Sequence, residues 1–99
     1  MVVNFEEKDN CVFVSLAGRL DTVTSQELMT NKSEEIAQWT GKEVVIDCSQ
    51  LEYISSSGIR LLLLIRKSAG ENVTLKGMHP EILQILKVTR LDAMFKMAE

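Results

Sequence analysis

Histidine, cysteine and glycine-rich segments are scarce in this sequence, and each shortage removes a class of chemistry. The lone histidine, His79, precedes Pro80 with no nucleophile paired to it, so it reads as a residue at a helix entrance and not as a base. Cys11 and Cys48 stand 37 positions apart, outside any CxxC or His-flanked ligand set. Each falls in an apolar strand-like run, and both are expected to be buried free thiols, because small, soft Cys packs as a hydrophobe. No metal site and no cofactor follow from such a set. Neither a GxSxG elbow nor a glycine-rich phosphate loop of standard spacing occurs, so no enzyme activity is expected.

Positive charge and long apolar runs are missing too. Lys and Arg number 11 against 14 Asp and Glu, a net charge of -3, and the basic residues are scattered. The electrostatic footprint of a nucleic-acid binder is absent. The longest nearly unbroken apolar run, Ile59 to Ile65, is interrupted by Arg60 and falls far short of the roughly 20 residues that cross a bilayer, so no direct membrane insertion is expected. Residues Met1 to Glu7 carry early acids and no basic n-region, which argues against a secretory signal and for a cytoplasmic protein. At roughly 150 residues per domain, the 99 residues allow one domain, 1–99, and the 45% hydrophobic content suits an ordinary core. No segment repeats, which excludes a solenoid.

What is present is an alternation of strand and helix signals. Val2–Phe5 and Cys11–Ala17 are β-rich runs joined by a polar five-residue link, as in an antiparallel hairpin. The second run is apolar almost without alternation, which predicts burial on both faces, and Gly18 is expected to break it. From Thr24 to Trp39, Leu28, Met29, Ile36 and Trp39 share one side of a helical wheel. The cap-type residues Asp21, Thr22 and Thr24 precede them and Gly41 follows, so one amphipathic helix is expected. Glu43–Cys48 suits a central parallel strand covered on both sides. Ile59–Ser68 reads as a helix closed by Gly70, Asn72–Gly77 as a half-covered strand, and Glu81–Val88 as a helix with Pro80 at its first position. Ile82, Leu83, Ile85 and Leu86 would form its buried stripe. Lys87 and Arg90, near the end of that helix, read as structural complements to its dipole. Phe95 and Met97 could form a last short strand. The order ββαβαβα(β) defines an α/β domain with three helices and a four- or five-stranded mixed sheet, whose parallel strands are joined by right-handed crossovers.

The residues that could carry chemistry are Ser55, Ser56, Ser57 and Gly58, between the third strand and the following helix. A hydroxyl there faces the positive end of a helix dipole and several unpaired amides, where a phosphate would be well received. Phosphorylation adds about -1.5 to -2 charge units and three acceptor oxygens, enough to repel a partner without unfolding the chain. The plain alternative is a set of small residues capping a helix. Leu61, Leu62, Leu63 and Leu64 follow in succession and spread over about 300° of the helix circumference. They cannot all face the sheet, so some either pack on neighbouring helices or form an exposed docking strip beside the serines.

Together the segments Gly18-Arg19-Leu20-Asp21, Val44-Val45-Ile46-Asp47, Tyr53-Ile54-Ser55-Ser56-Ser57-Gly58 and Pro80 through Leu91 resemble a STAS domain. More narrowly, they resemble the stand-alone anti-sigma factor antagonists of bacterial partner-switching systems, from about Val12 to Phe95. The resemblance implies a small α/β domain that, unphosphorylated, binds an anti-sigma factor with serine-kinase activity and so frees a sigma factor. Phosphorylation ends the interaction and a PP2C-type serine phosphatase resets it, with ATP and metal belonging to those partners. The family acceptor, the first Ser of an Asp-Ser-Ser-Gly turn, maps onto Ser56, with Ser55 and Ser57 as alternates because Ser55 replaces the Asp. Partner contacts are expected at Asp21, Ser55, Ser57, Gly58, Ile59 and Leu62, with helix capping as the other role of Asp21. Family members commonly add a fifth strand and a last helix after the Phe95 region. The rival implication is a STAS domain serving as a constitutive scaffold subunit of a membrane transport assembly, with no phosphorylated serine.

Overall fold

Sequence alternation becomes sheet geometry in the computed structural model, which describes residues 2–98. In chain order the elements are β1 (Val2–Lys8), β2 (Cys11–Leu20), α1 (Thr22–Asn31), α2 (Ser33–Ala37), β3 (Glu43–Ile54), α3 (Ser56–Ala69), β4 (Val73–Lys76) and α4 (Pro80–Val88). A 3-10 turn over Leu91–Met94 and the short β5 (Lys96–Ala98) follow. One five-stranded sheet has the order β1-β2-β3-β4-β5. The β1–β2 pair is antiparallel and every later pair is parallel. Right-handed crossovers that step always in the same direction across a sheet put every helix on one side of it.

That one-sided cover explains the register. Val12 pairs with Val44 and Val44 with Val73, while Val14 pairs with Ile46 and Ile46 with Leu75, and all six are buried. The intervening row, Phe13, Val45 and Thr74, points to the uncovered face, and Phe13 is 43% exposed. The two-sided burial expected for β2 and β3 is therefore corrected. Both strands alternate, because no helix covers their second face.

Other boundaries move for physical reasons. Gly18 does not end β2. It adopts φ +103, a conformation open to glycine, where the β2–β3 register slips between Gly18 and Arg19, and the strand runs on to Leu20. β3 likewise continues past Cys48 to Ile54, since its second half pairs with that extension of β2. The helix expected over Thr24–Trp39 is two helices that meet at Lys32, with Trp39 in the turn beyond. Thr30 and Asn31 are weak helix formers. The break lets Ile36 and Trp39 reach the core, where the Trp39 ring meets Phe5 edge-on with centroids 5.1 Å apart. Among the described residues, four α-helices thus replace the expected three. In α4, Ile82 and Leu86 are buried as expected, whereas Ile85 is 41% exposed. Lys87 lies in the last turn of α4, and Arg90 stands just outside it in a left-handed conformation. The expected last strand is β5, with Met97 in it and Phe95 just before it, buried in the core.

Candidate functional site

The C-terminal ends of β2 and β3 close on each other before either chain turns into a helix. Leu20 pairs with Ile54, and the Ser55 N–H donates to the Leu20 carbonyl at 2.9 Å. The N-termini of α1 and α3 therefore open side by side at one end of the sheet.

Each mouth is capped by its own side chain. At α1, Asp21 Oδ1 accepts the Thr24 N–H at 3.0 Å and the Asp21 N–H donates to Thr24 Oγ1 at 2.9 Å, a reciprocal capping box. The Thr24 N–H, and after it the Thr24 hydroxyl donating to Asp21 Oδ1 at 3.0 Å, hold the Asp21 carboxyl below its ordinary pKa. At α3, Ser55 has extended backbone angles and its Oγ accepts the Gly58 N–H at 3.2 Å. The Ile59 N–H donates to the Ser55 carbonyl at 3.0 Å, starting the helical ladder.

The three serines are thus sorted by environment. Ser55 is half-buried and committed to the cap. Ser57 is 8% exposed. Ser56, the first residue of α3, is exposed. Gly58 is buried for a steric reason: a Cβ there would stand 2.7 Å from Ile54 Cγ1 and 2.8 Å from the Leu20 carbonyl oxygen. It seats the helix against the strand ends and offers a partner nothing to touch.

One expectation about the surface needs correction, and one open alternative is decided. Leu62 is fully buried in the core and cannot be a contact residue. Nor do the four leucines make an exposed strip: Leu61 and Leu62 are buried, and Leu63 and Leu64 are half-buried against the core. α1 and α2 pack along α3. Ile59 is half-buried, and Asp21 is half-buried at the neighbouring mouth. Arg19 and Tyr53 appear in the sequence only within the segments that carry the resemblance, with no role of their own. They are register partners one residue before the strand ends, with the Arg19 guanidinium 4.2 Å from the centre of the Tyr53 ring, which is 40% exposed. Only the β2–β3 register brings them together, and a single sequence does not display it.

Elsewhere, His79 caps nothing with its side chain at the start of α4, and its Nε2 lies 2.8 Å from the Ser49 carbonyl oxygen. Cys48 is buried as expected, whereas Cys11 at the start of β2 is partly exposed. Among the described residues, no three His, Cys, Asp or Glu come close enough to hold a metal, and no helix is long and apolar enough to cross a membrane.

An α/β sheet covered on one side, with a capped serine turn at the mouth of α3, is the arrangement with which the comparisons with known proteins can be set. Residues 3–97 match the family described as Mlab, STAS domain, and the chain belongs to the STAS domain family. It is 30% identical over 88 residues to a STAS-domain containing protein of Pseudomonas aeruginosa, covering 86% of this chain and 85% of that one. It is 22% identical over 101 residues to BtrV of Bordetella bronchiseptica, a protein named as an anti-sigma factor antagonist, covering 99% of this chain and 86% of the relative. In fold it is similar to the Bacillus cell fate determinant SpoIIAA in its phosphorylated form, with a TM-score of 0.74 at 19% identity, covering 99% of this chain and 92% of that chain.

Proposed function

We propose that this chain is an anti-sigma factor antagonist in a cytoplasmic partner-switching pathway, a binding module with no chemistry of its own. Unphosphorylated, it binds an anti-sigma factor with serine-kinase activity and so releases a sigma factor. The kinase transfers the γ-phosphoryl group of ATP to Ser56 Oγ, ADP and the hydroxyl proton leave, and the complex parts. A PP2C-type phosphatase hydrolyses the ester and restores the binding form. One observation carries this reading: of three consecutive serines, Ser55 is spent on the cap, Ser57 is buried and Ser56 alone is exposed. Its position at the first turn of α3 suits an added dianion, since the helix dipole and free amides favour negative charge there. The names of BtrV and of phosphorylated SpoIIAA support the same reading for relatives of this fold. The docking surface consists of the exposed groups around the two helix mouths, Ser56 and the rims of Asp21 and Ile59, with Ser55, Ser57 and Gly58 acting beneath them.

The test is mass mapping of the chain isolated from its native cells, together with affinity for the co-purifying partner. The reading expects one phosphoryl group on the 55–57 turn, at Ser56. It also expects Ser56→Asp to weaken partner binding at least tenfold, while Ser56→Ala binds and cannot be switched off. An unmodified turn together with unchanged affinity of Ser56→Asp leaves the constitutive scaffold as the function.

A further inference from the structure

Arg60 stands four residues after Ser56 on α3, and both are exposed. Residues four apart share one helix face, and helical side chains lean toward the N-terminus, so the Arg60 guanidinium is within reach of the Ser56 position. The order, anion first and cation four residues later, is the favourable one for a helical ion pair.

The other arginines around this helix are already engaged. Arg66, later in α3, donates its Nε–H to the Met94 carbonyl at 2.8 Å, and Arg19 lies on the Tyr53 ring. Among the described residues the ion pairs are Lys32–Glu35 and Lys42–Glu7, and neither involves Arg60. Arg60 is therefore an uncommitted cation within one helical turn of the proposed modified hydroxyl.

We infer that Arg60 is the built-in counter-ion of phosphorylated Ser56: it folds back onto the phosphate and holds it against the flank of α3. The inference rests on reading Ser56 as the modified residue and adds a second consequence to the modification. The surface gains an anion and at the same moment loses its free cation, because Arg60 is drawn into an ion pair within the chain. A guanidinium fork suits this task better than an ammonium, since it can donate two parallel hydrogen bonds to two phosphate oxygens.

The experiment uses the full chain with phosphoserine encoded directly at position 56, compared with the same chain carrying Arg60→Gln or Arg60→Lys. Phosphorus NMR follows the second ionisation of the phosphate. With Arg60 present, that ionisation is expected about half a unit lower than in Arg60→Gln at low salt, because a nearby cation favours the dianion. The gap is expected to close at about 1 M salt, and Arg60→Lys to retain part of it. The other charged groups at this end of the sheet, Asp21, Arg19 and Glu52, remain in every variant, so the difference isolates position 60. Arg60 is exposed, so its variants are expected to fold, as circular dichroism would verify. Identical phosphate titration with Arg60 in place and in the Arg60→Gln variant at low salt overturns the inference. Because the phosphate is encoded and no kinase is involved, that result leaves Ser56 standing as the modified residue. A native turn found unmodified would sink the function and not the measured ion pair.

Discussion

Ser55 Oγ accepts the Gly58 N–H at 3.2 Å, so the first serine of the turn is the one that caps α3. Ser55→Ala should cost about 0.5–2 kcal/mol of stability, the usual loss when an N-cap acceptor is removed. Ser55→Asp keeps an acceptor and adds a charge that the helix dipole favours by about 0.3–1 kcal/mol. Urea unfolding monitored by fluorescence of Trp39, the chain's one tryptophan, measures both changes.

Gly58→Ala is expected to destabilise by about 1–3 kcal/mol, the usual cost of overpacking a tight contact. One of the two atoms its Cβ would meet is a backbone oxygen, Leu20 O at 2.8 Å, which cannot swing aside as a side-chain tip can. A denaturation midpoint equal to that of the parent protein would contradict this seating of α3.

Stability should fall on both sides of neutral pH. The Asp47 carboxyl is held below its ordinary value by bonds from Ser49, with the Lys76 charge assisting, and Asp21 is lowered by Thr24. Both groups stay ionised longer in the folded chain. As pH drops below about 4 the unfolded chain takes up protons first, and the stability these groups contribute is lost as pH passes through their folded pKa values. Burial, with Asp47 adding repulsion, pushes the Cys48 thiol up to about 12. The unfolded chain therefore loses that proton first, and stability declines as pH rises from about 9 toward that value. Unfolding midpoints at pH 3, 7 and 10 read both arms, and Cys48→Ala should flatten the alkaline one.

The two cysteines should separate under a thiol reagent. Cys11 is partly exposed, with its thiol pKa raised by desolvation and by Glu43, so it should react slowly in the native protein. Cys48 should react only on unfolding. Two equivalents consumed rapidly without denaturant would contradict the burial of Cys48.

Much of this architecture is legible in the chain. The hairpin, the strand–helix alternation, the Pro80 helix start and the serine turn all rest on local signals that tertiary packing leaves in place. What escapes is non-local. Phe13 and Cys11 look like core residues by composition, yet they lie on a face that no helix reaches, so apolar content overstates the burial of β2. Gly18 looks like a terminator until β3 is seen to extend beside it and absorb its positive φ as a bulge. The join at Lys32 depends on where Trp39 must go to meet Phe5. At the site, three adjacent hydroxyls are equivalent in the bare sequence. Their separation into cap, buried residue and exposed residue follows from the helix phase set by Gly58. The leucine run leaves room for an exposed strip only until α1 and α2 are placed against it.

The missing side chain at Gly58 has one more consequence. With α3 seated close against Leu20 and Ile54 at the strand ends, little room is left for its first turn to move inward. A group added at position 56 then projects outward, where it changes the surface potential and volume that a companion protein meets.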